Sequence, residues 1–267
     1  MSTLSEIRTA VQGNWPNNYF ASFLDDTKTD EYINAVQRWV CRGTILTPDF
    51  KMVNHSFSWM KQEATRDTSD GTQTYSIPTA GDSDWTEVNS ETVRKYKKEV
   101  SLELINADGY RVPLTRRHKK DIERDMGHRE EADSGTPRDY CIDQDLIWLY
   151  PVPDHSLNSA SAWEMNLEFY GYMADLSGDS ATNEITNTFP DVLEYGATEM
   201  GFRYGQDYEQ AEYYNKKKQE LFIEMLRLDQ AEVLSNIERG MEPITGSNLG
   251  EGDPGYSGYY TNDTPYS

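Results

Sequence analysis

The sequence predicts an α+β fold: a helical bundle with a long C-terminal helix, a small antiparallel β-rich region inserted between helical segments, and an extended C-terminal tail. Three observations carry that expectation. Apolar residues recur at helical spacing before Phe57 and again after Asn187. Between Phe57 and Leu176 the period shifts toward two, as on half-buried strands. From Met241 to Ser267 neither period is visible, and glycine and proline interrupt regular structure.

Leu4–Val11 reads as a short helix. "TKTDEYINAVQRWVCRG" reads as a longer one, capped by Thr29 or Asp30 and followed by Gly43, with Tyr32, Ile33, Val36, Trp39 and Val40 on one side. "TQTYSIP" alternates until Pro78. "VSLELINADGYRVPL" reads as strand, turn at Ala107–Gly109, and strand. "LTRRHKKDIERDMG" reads as a short helix capped by Thr115 and ended by Gly127, its bases and acids spaced for ion pairs along one face. "AWEMNLEFYGYM" is a long strand with Trp163, Met165, Leu167 and Phe169 on one face.

In "NTFPDVLEYGATEMGFRYG", Pro190 falls in the first helical turn, where a missing N–H costs nothing. Ala197, Gly201 and Gly205 recur every four residues and form a groove for close helix packing. The last helix starts at Asp207, with Gln210 three residues on as in a capping box. Running to about Arg239, it would be roughly 50 Å long, with Leu221, Met225, Leu228, Leu234 and Ile237 as its apolar stripe. The expected divisions are 1–56 (helical), 57–186 (β-rich with an inserted helix), 187–240 (helical hairpin) and 241–267 (partner-binding tail).

Of 267 residues, 36% are hydrophobic, below the ~45–50% of typical globular chains. Part of the surface is therefore expected to be extended or buried only against partners. The formal charge is −21, which repels nucleic acid rather than gripping its phosphates and keeps a free subunit in solution. The two cysteines, Cys41 and Cys141, read as buried free thiols. There is no secretory-signal pattern at the start and no apolar run long enough to span a membrane, so the expectation is a soluble, cytoplasm-made protein.

Little points to catalysis. In "YCIDQDLIWLYPVPD", Asp143 and Asp145 sit at the tip of an acidic turn. A glycosidase needs two carboxylates facing across a cleft, one of them raised in pKa by an apolar pocket. Residues two apart in a tight turn splay into water instead. His55, His118, His128 and His155 are scattered without metal-ligand spacing. "DTSDGTQTY" lacks the ligands of a calcium loop at positions five and twelve. The expectation is no catalytic, cofactor or metal site, and a subunit that packs against copies of itself.

The order of several stretches resembles a known family. These are "TYSIPTAGD", the "NADGYRVPL" turn, "GTPRDYCIDQDLIWLYPVPD", "EFYGYMADL" and "NTFPDVLEYGATEMGFRYGQDYEQAEYYNKKKQELFIEM". Over roughly Trp59–Arg227 the chain resembles the adaptor, or head-to-tail connector, proteins of tailed double-stranded-DNA bacteriophages. The resemblance implies a structural virion protein, not an enzyme. About a dozen copies would form a ring at the head–tail interface beneath the portal, extending the DNA channel and attaching a downstream tail or nozzle protein. DNA would pass without sequence-specific binding, with no membrane involved. The tail's Ile244, Leu249, Tyr256, Tyr259, Tyr260 and Tyr266 would bind the portal. Two other readings stay open: another neck or tail-tube component, and a tail-associated glycan hydrolase.

Overall fold

A computed structural model describes residues 2–15, 24–46, 52–89, 92–126 and 134–240. In chain order the elements are α1 (Leu4–Asn14), α2 (Asp26–Arg42), β1 (Thr44–Leu46), β2 (Met52–Asn54), β3 (Lys61–Asp67), β4 (Thr74–Ser76), β5 (Thr86–Glu87), β6 (Lys95–Ile105), β7 (Arg111–Pro113) and β8 (Thr115–Arg116). There follow α3 (Lys119–Met126), β9 (Ser134–Gly135), β10 (Asp139–Asp143), β11 (Leu146–Tyr150), β12 (Val152–Pro153), β13 (Glu164–Tyr172), α4 (Glu184–Thr188), α5 (Pro190–Tyr204) and α6 (Tyr208–Gly240).

Local chemistry sets the helix ends. Thr3 and Glu6 form a reciprocal capping box on α1, which runs on to Asn14 rather than stopping at Val11. The cap of α2 is Asp25, whose carboxylate accepts the Lys28 N–H at 2.8 Å. Thr29 and Asp30, the caps expected from sequence, lie inside the helix. Thr29 is fully buried, and Asp30 pairs with Arg8 at 2.6 Å. Thr115 does not cap α3: it lies in β8, opposite Asp139, and the helix begins four residues later. Strand pairing won because it satisfies backbone groups that a cap would leave open. Gly43 ends α2 at φ 62°, and a Cβ there would meet the His55 carbonyl oxygen at 2.1 Å.

The strands form two main sheets. The first has order β5-β3-β13-β6-β7 and is antiparallel throughout. The second, β4-β11-β10-β8, carries one short parallel pairing between β10 and β8. A parallel two-residue bridge joins β12 and β9, so the β region is not purely antiparallel. Met165, Leu167 and Phe169 of β13 are fully buried and share a core with Leu102, Leu104, Tyr75, Ile147 and Leu149 from both sheets. Strict alternation along β13 put these residues on one face.

A second core lies among the helices. Ile7, Val11, Ile33, Val36, Val40, Leu193, Ala197, Phe202 and Phe222 are buried together, joining α1, α2, α5 and α6. Polar side chains tie α2 to the segment leaving β13. The buried Asn34 amide accepts the Leu176 N–H at 2.7 Å and donates to its carbonyl at 3.1 Å. Gln37 donates to Ala174 O at 2.7 Å. The Asn34 pairings satisfy both backbone groups of the buried Leu176, which would otherwise go unmet.

On α6, Ala211, Lys218, Phe222, Met225 and Leu226 are buried, whereas Leu228 is 52% exposed. The expected stripe through Leu221 and Leu228 is thus rotated toward Phe222. The side chains of Leu234 and Ile237 lie outside the described residues. The chain divides into two compact units, residues 1–226 and 227–267.

Candidate functional site

The acidic turn joins β10 to β11. Asp143 is not at the tip: it ends β10 opposite Leu146. Gln144 and Asp145 form the two-residue tip, both left-handed at φ 50° and 63°, as hairpins with the twist-matched turn require. The Asp145 carbonyl accepts the Ile77 N–H at 3.1 Å. Asp143 is held by Lys119 of α3 at 3.2 Å, rather than splaying into water, and Lys119 lies 3.8 Å from the centre of the Trp148 ring. This is a braced hairpin. Asp143→Asn with Asp145→Asn is expected to leave assembly unchanged and to cost at most about 1 kcal/mol, the scale of a partly exposed ion pair. Thermal melting and particle assembly check it.

Several other titratable groups are also engaged structurally. His155 Nε2 and Thr68 Oγ1 are 3.1 Å apart, and the exposed His118 ring nitrogen Nδ1 accepts the Lys120 N–H. Among the described residues no group of three or more His, Cys, Asp or Glu could hold a metal ion. Both cysteines are free and buried, and burial raises their thiol pKa values. The basic run 115–124 uses its charges mostly across elements: Arg116 pairs with Glu99, Arg117 with Asp139 and Lys119 with Asp143. The Arg124–Asp121 pair is at helical spacing, whereas Arg116 and Arg117 precede α3 and so cannot share its face. Lys97 donates to the Cys41 and His55 carbonyls at 2.7 Å, placing a cation at the negative end of α2.

Burial holds two tyrosines protonated. Tyr96 is pushed up to about 12 by desolvation, partly offset by Arg116. Tyr150 is also pushed up to about 12 by desolvation, with the neighbouring Cys141 adding to it. Both folded values exceed the ordinary 10.0, so their contribution to stability is complete below pH 10 and is lost as pH rises through 12. Tyrosinate absorbance is expected to appear in two stages, with the buried pair ionising only as the fold is lost. A single unshifted titration would refute this.

The helix-packing residues sit as follows. Ala197 and Gly201 are buried, and Gly205 caps the end of α5. A Cβ on Gly201 would meet the Trp15 indole at 2.5 Å. A Cβ on Gly196, which the every-fourth-residue pattern does not include, would meet Val36 of α2 at 2.6 Å. The tight positions thus fall at 196 and 201 on α5, facing α2 and the residue that caps α1. The buried Glu199–Lys218 pair was also missed, since polar residues in a helical stripe read as surface. Ile244, Leu249, Tyr256, Tyr259, Tyr260 and Tyr266 lie outside the described residues.

The described residues form two packed interiors, a braced hairpin and ion-paired surface side chains. Residues 2–240 match the family model described as SU10 adaptor protein. The chain belongs to the SU10 adaptor protein family. It is therefore a phage adaptor, a structural protein. No curated protein matches the adaptor in sequence. The match stops before the tail, so residues 241–267 are outside what the family model describes. Among the described residues no helix is long and apolar enough to cross a membrane.

Proposed function

We propose that this adaptor forms a ring of about a dozen copies beneath the portal at the head–tail interface, extends the DNA channel and holds a downstream tail or nozzle protein. The observation that carries this is the family match over 2–240. The net charge of −21 supports it, because an acidic wall lets DNA slide without binding its phosphates. The proposed division of labour follows the sequence segments: helical body from 1–56 and 187–240, β-rich body from 57–186, and partner-binding tail from 241–267. In the tail, Ile244, Leu249 and the tyrosines at 256, 259, 260 and 266 supply apolar area for the portal. Fully extended, these 27 residues span roughly 90–97 Å at 3.3–3.6 Å per residue, enough to reach a neighbouring ring.

Electron microscopy of the particle tests the ring. To test the anchor, the chain is ended after Arg239 and mixed with portal rings. The truncated adaptor is expected to bind at least about tenfold more weakly, a loss of ~1.4 kcal/mol. Equal binding would remove the tail from this role.

A further inference from the structure

Two exposed patches on this chain complement each other. The first is a pocket of about 380 Å³ where the end of α2 meets the end of β13. Tyr172 and Met173 line it, and Arg38 is paired there with Asp175 at 2.5 Å. Arg42 and Lys95 also line it; both are exposed, and neither side chain has an ion-pair or hydrogen-bond partner among the described residues. The chain carries 46 acids against 25 bases, so carboxylates are plentiful, yet none among the described residues meets these two cations.

The second patch is the corner between α5 and α6. Tyr204, Tyr208 and Tyr213 are 56%, 65% and 52% exposed, and Asp207, Glu209 and Glu212 are exposed among them. Residues 204–215 contain no base. The nearby Lys28 and Arg203 are already paired with Glu31 and Glu199, and Lys217 lies over the Tyr195 and Tyr213 rings. Exposed aromatic rings beside carboxylates fit a basic pocket floored by an aromatic and a methionine.

The two patches lie at opposite ends of α2. Tyr204 interacts electrostatically with Lys28 and Tyr32 in the first turns, whereas Arg42 is the last residue of the helix. Lys28 and Arg42 are 14 residues apart, about 21 Å at 1.5 Å per residue. They therefore cannot meet within one copy. We propose that the Arg42–Lys95 pocket of one copy receives the Tyr204–Glu212 corner of a second copy. The carboxylates meet the two cations, and a tyrosine covers Tyr172 and Met173. Because the two patches differ, the contact is heterologous and passes from copy to copy, closing a ring if the rotation allows. This deepens the ring reading above and rests on it.

The test is zero-length carbodiimide coupling of the full chain assembled on portal rings, followed by peptide mass spectrometry. Lys95 is expected to couple to Asp207, Glu209 or Glu212, a link that one copy cannot make. Multimers in which Lys95 couples to none of these carboxylates overturn the contact and leave the ring standing. Copies that never multimerise overturn both. As a second measurement, Arg42→Glu with Lys95→Glu is expected to raise the concentration needed for multimers at least about tenfold. Glu209→Lys with Glu212→Lys is expected to do the same, and the four changes together to restore assembly. Reversals that leave multimer formation unchanged, or a combination that does not restore it, overturn the proposal.

Discussion

Replacing Gly201 with leucine is expected to destabilise the helical core by about 3 kcal/mol, the upper end of ordinary overpacking. The first added carbon would already lie 2.5 Å from the Trp15 indole, far inside contact distance. Trp15 is held between helices: it is 5% exposed, and its Nε1 donates to the Thr198 carbonyl at 3.3 Å. A rigid bicyclic ring in that position cannot swing aside like the end of a lysine. At ~2–4 °C per kcal/mol for a domain of this size, the melting temperature is expected to fall by roughly 6–12 °C. Trp15→Ala should itself destabilise by about 3–5 kcal/mol, and combining it with Gly201→Leu should cost less than the sum. Additive losses in that double-mutant cycle would show that the glycine does not act through the indole.

Removing the Glu199 carboxylate is expected to have the larger effect. Glu199 and Lys218 are 5% and 9% exposed and pair with each other, with Lys218 Nζ 4.8 Å from the Trp39 ring centre. Glu199→Ala leaves the Lys218 ammonium buried without its counter-ion, at a cost of about 3–5 kcal/mol. The reverse change is milder. In Lys218→Met, Glu199 keeps Arg203 at 2.6 Å, so the remaining charge still has a partner. Glu199→Leu with Lys218→Met should recover most of the loss, because an apolar pair needs no compensation. Urea unfolding of the three variants decides the order. If Lys218→Met proves the more damaging single change, the pair does not work this way.

Much of the fold was legible from local pattern. The Trp163–Phe169 alternation gave the inner face of β13, and Gly43 gave the end of α2, because each depends on a few adjacent residues. Helix starts were less legible. Asp25 outcompeted Thr29 as a cap, and Thr115 was drawn into β8, since both choices depend on where the chain must go next. The candidate site divides in the same way. That Asp143 and Asp145 belong to a hairpin could be read from the sequence. That Asp143 is braced by Lys119 could not, because α3 reaches it only in the folded chain.

The sequence by itself determined the α+β class, the acidic surface and the residues of the long strand, since periodicity and charge are properties of the chain. Only the tertiary structure decided which small residue meets which helix: Gly196 faces Val36 and Gly201 faces Trp15. It alone also paired the buried Glu199 with Lys218 and set Arg42 beside Lys95 at one pocket. The physical reason is that close packing and charge pairing depend on distances across elements, between residues 22 to 186 positions apart in the Arg8–Asp30 and Trp15–Gly201 contacts, and no local spacing encodes those distances.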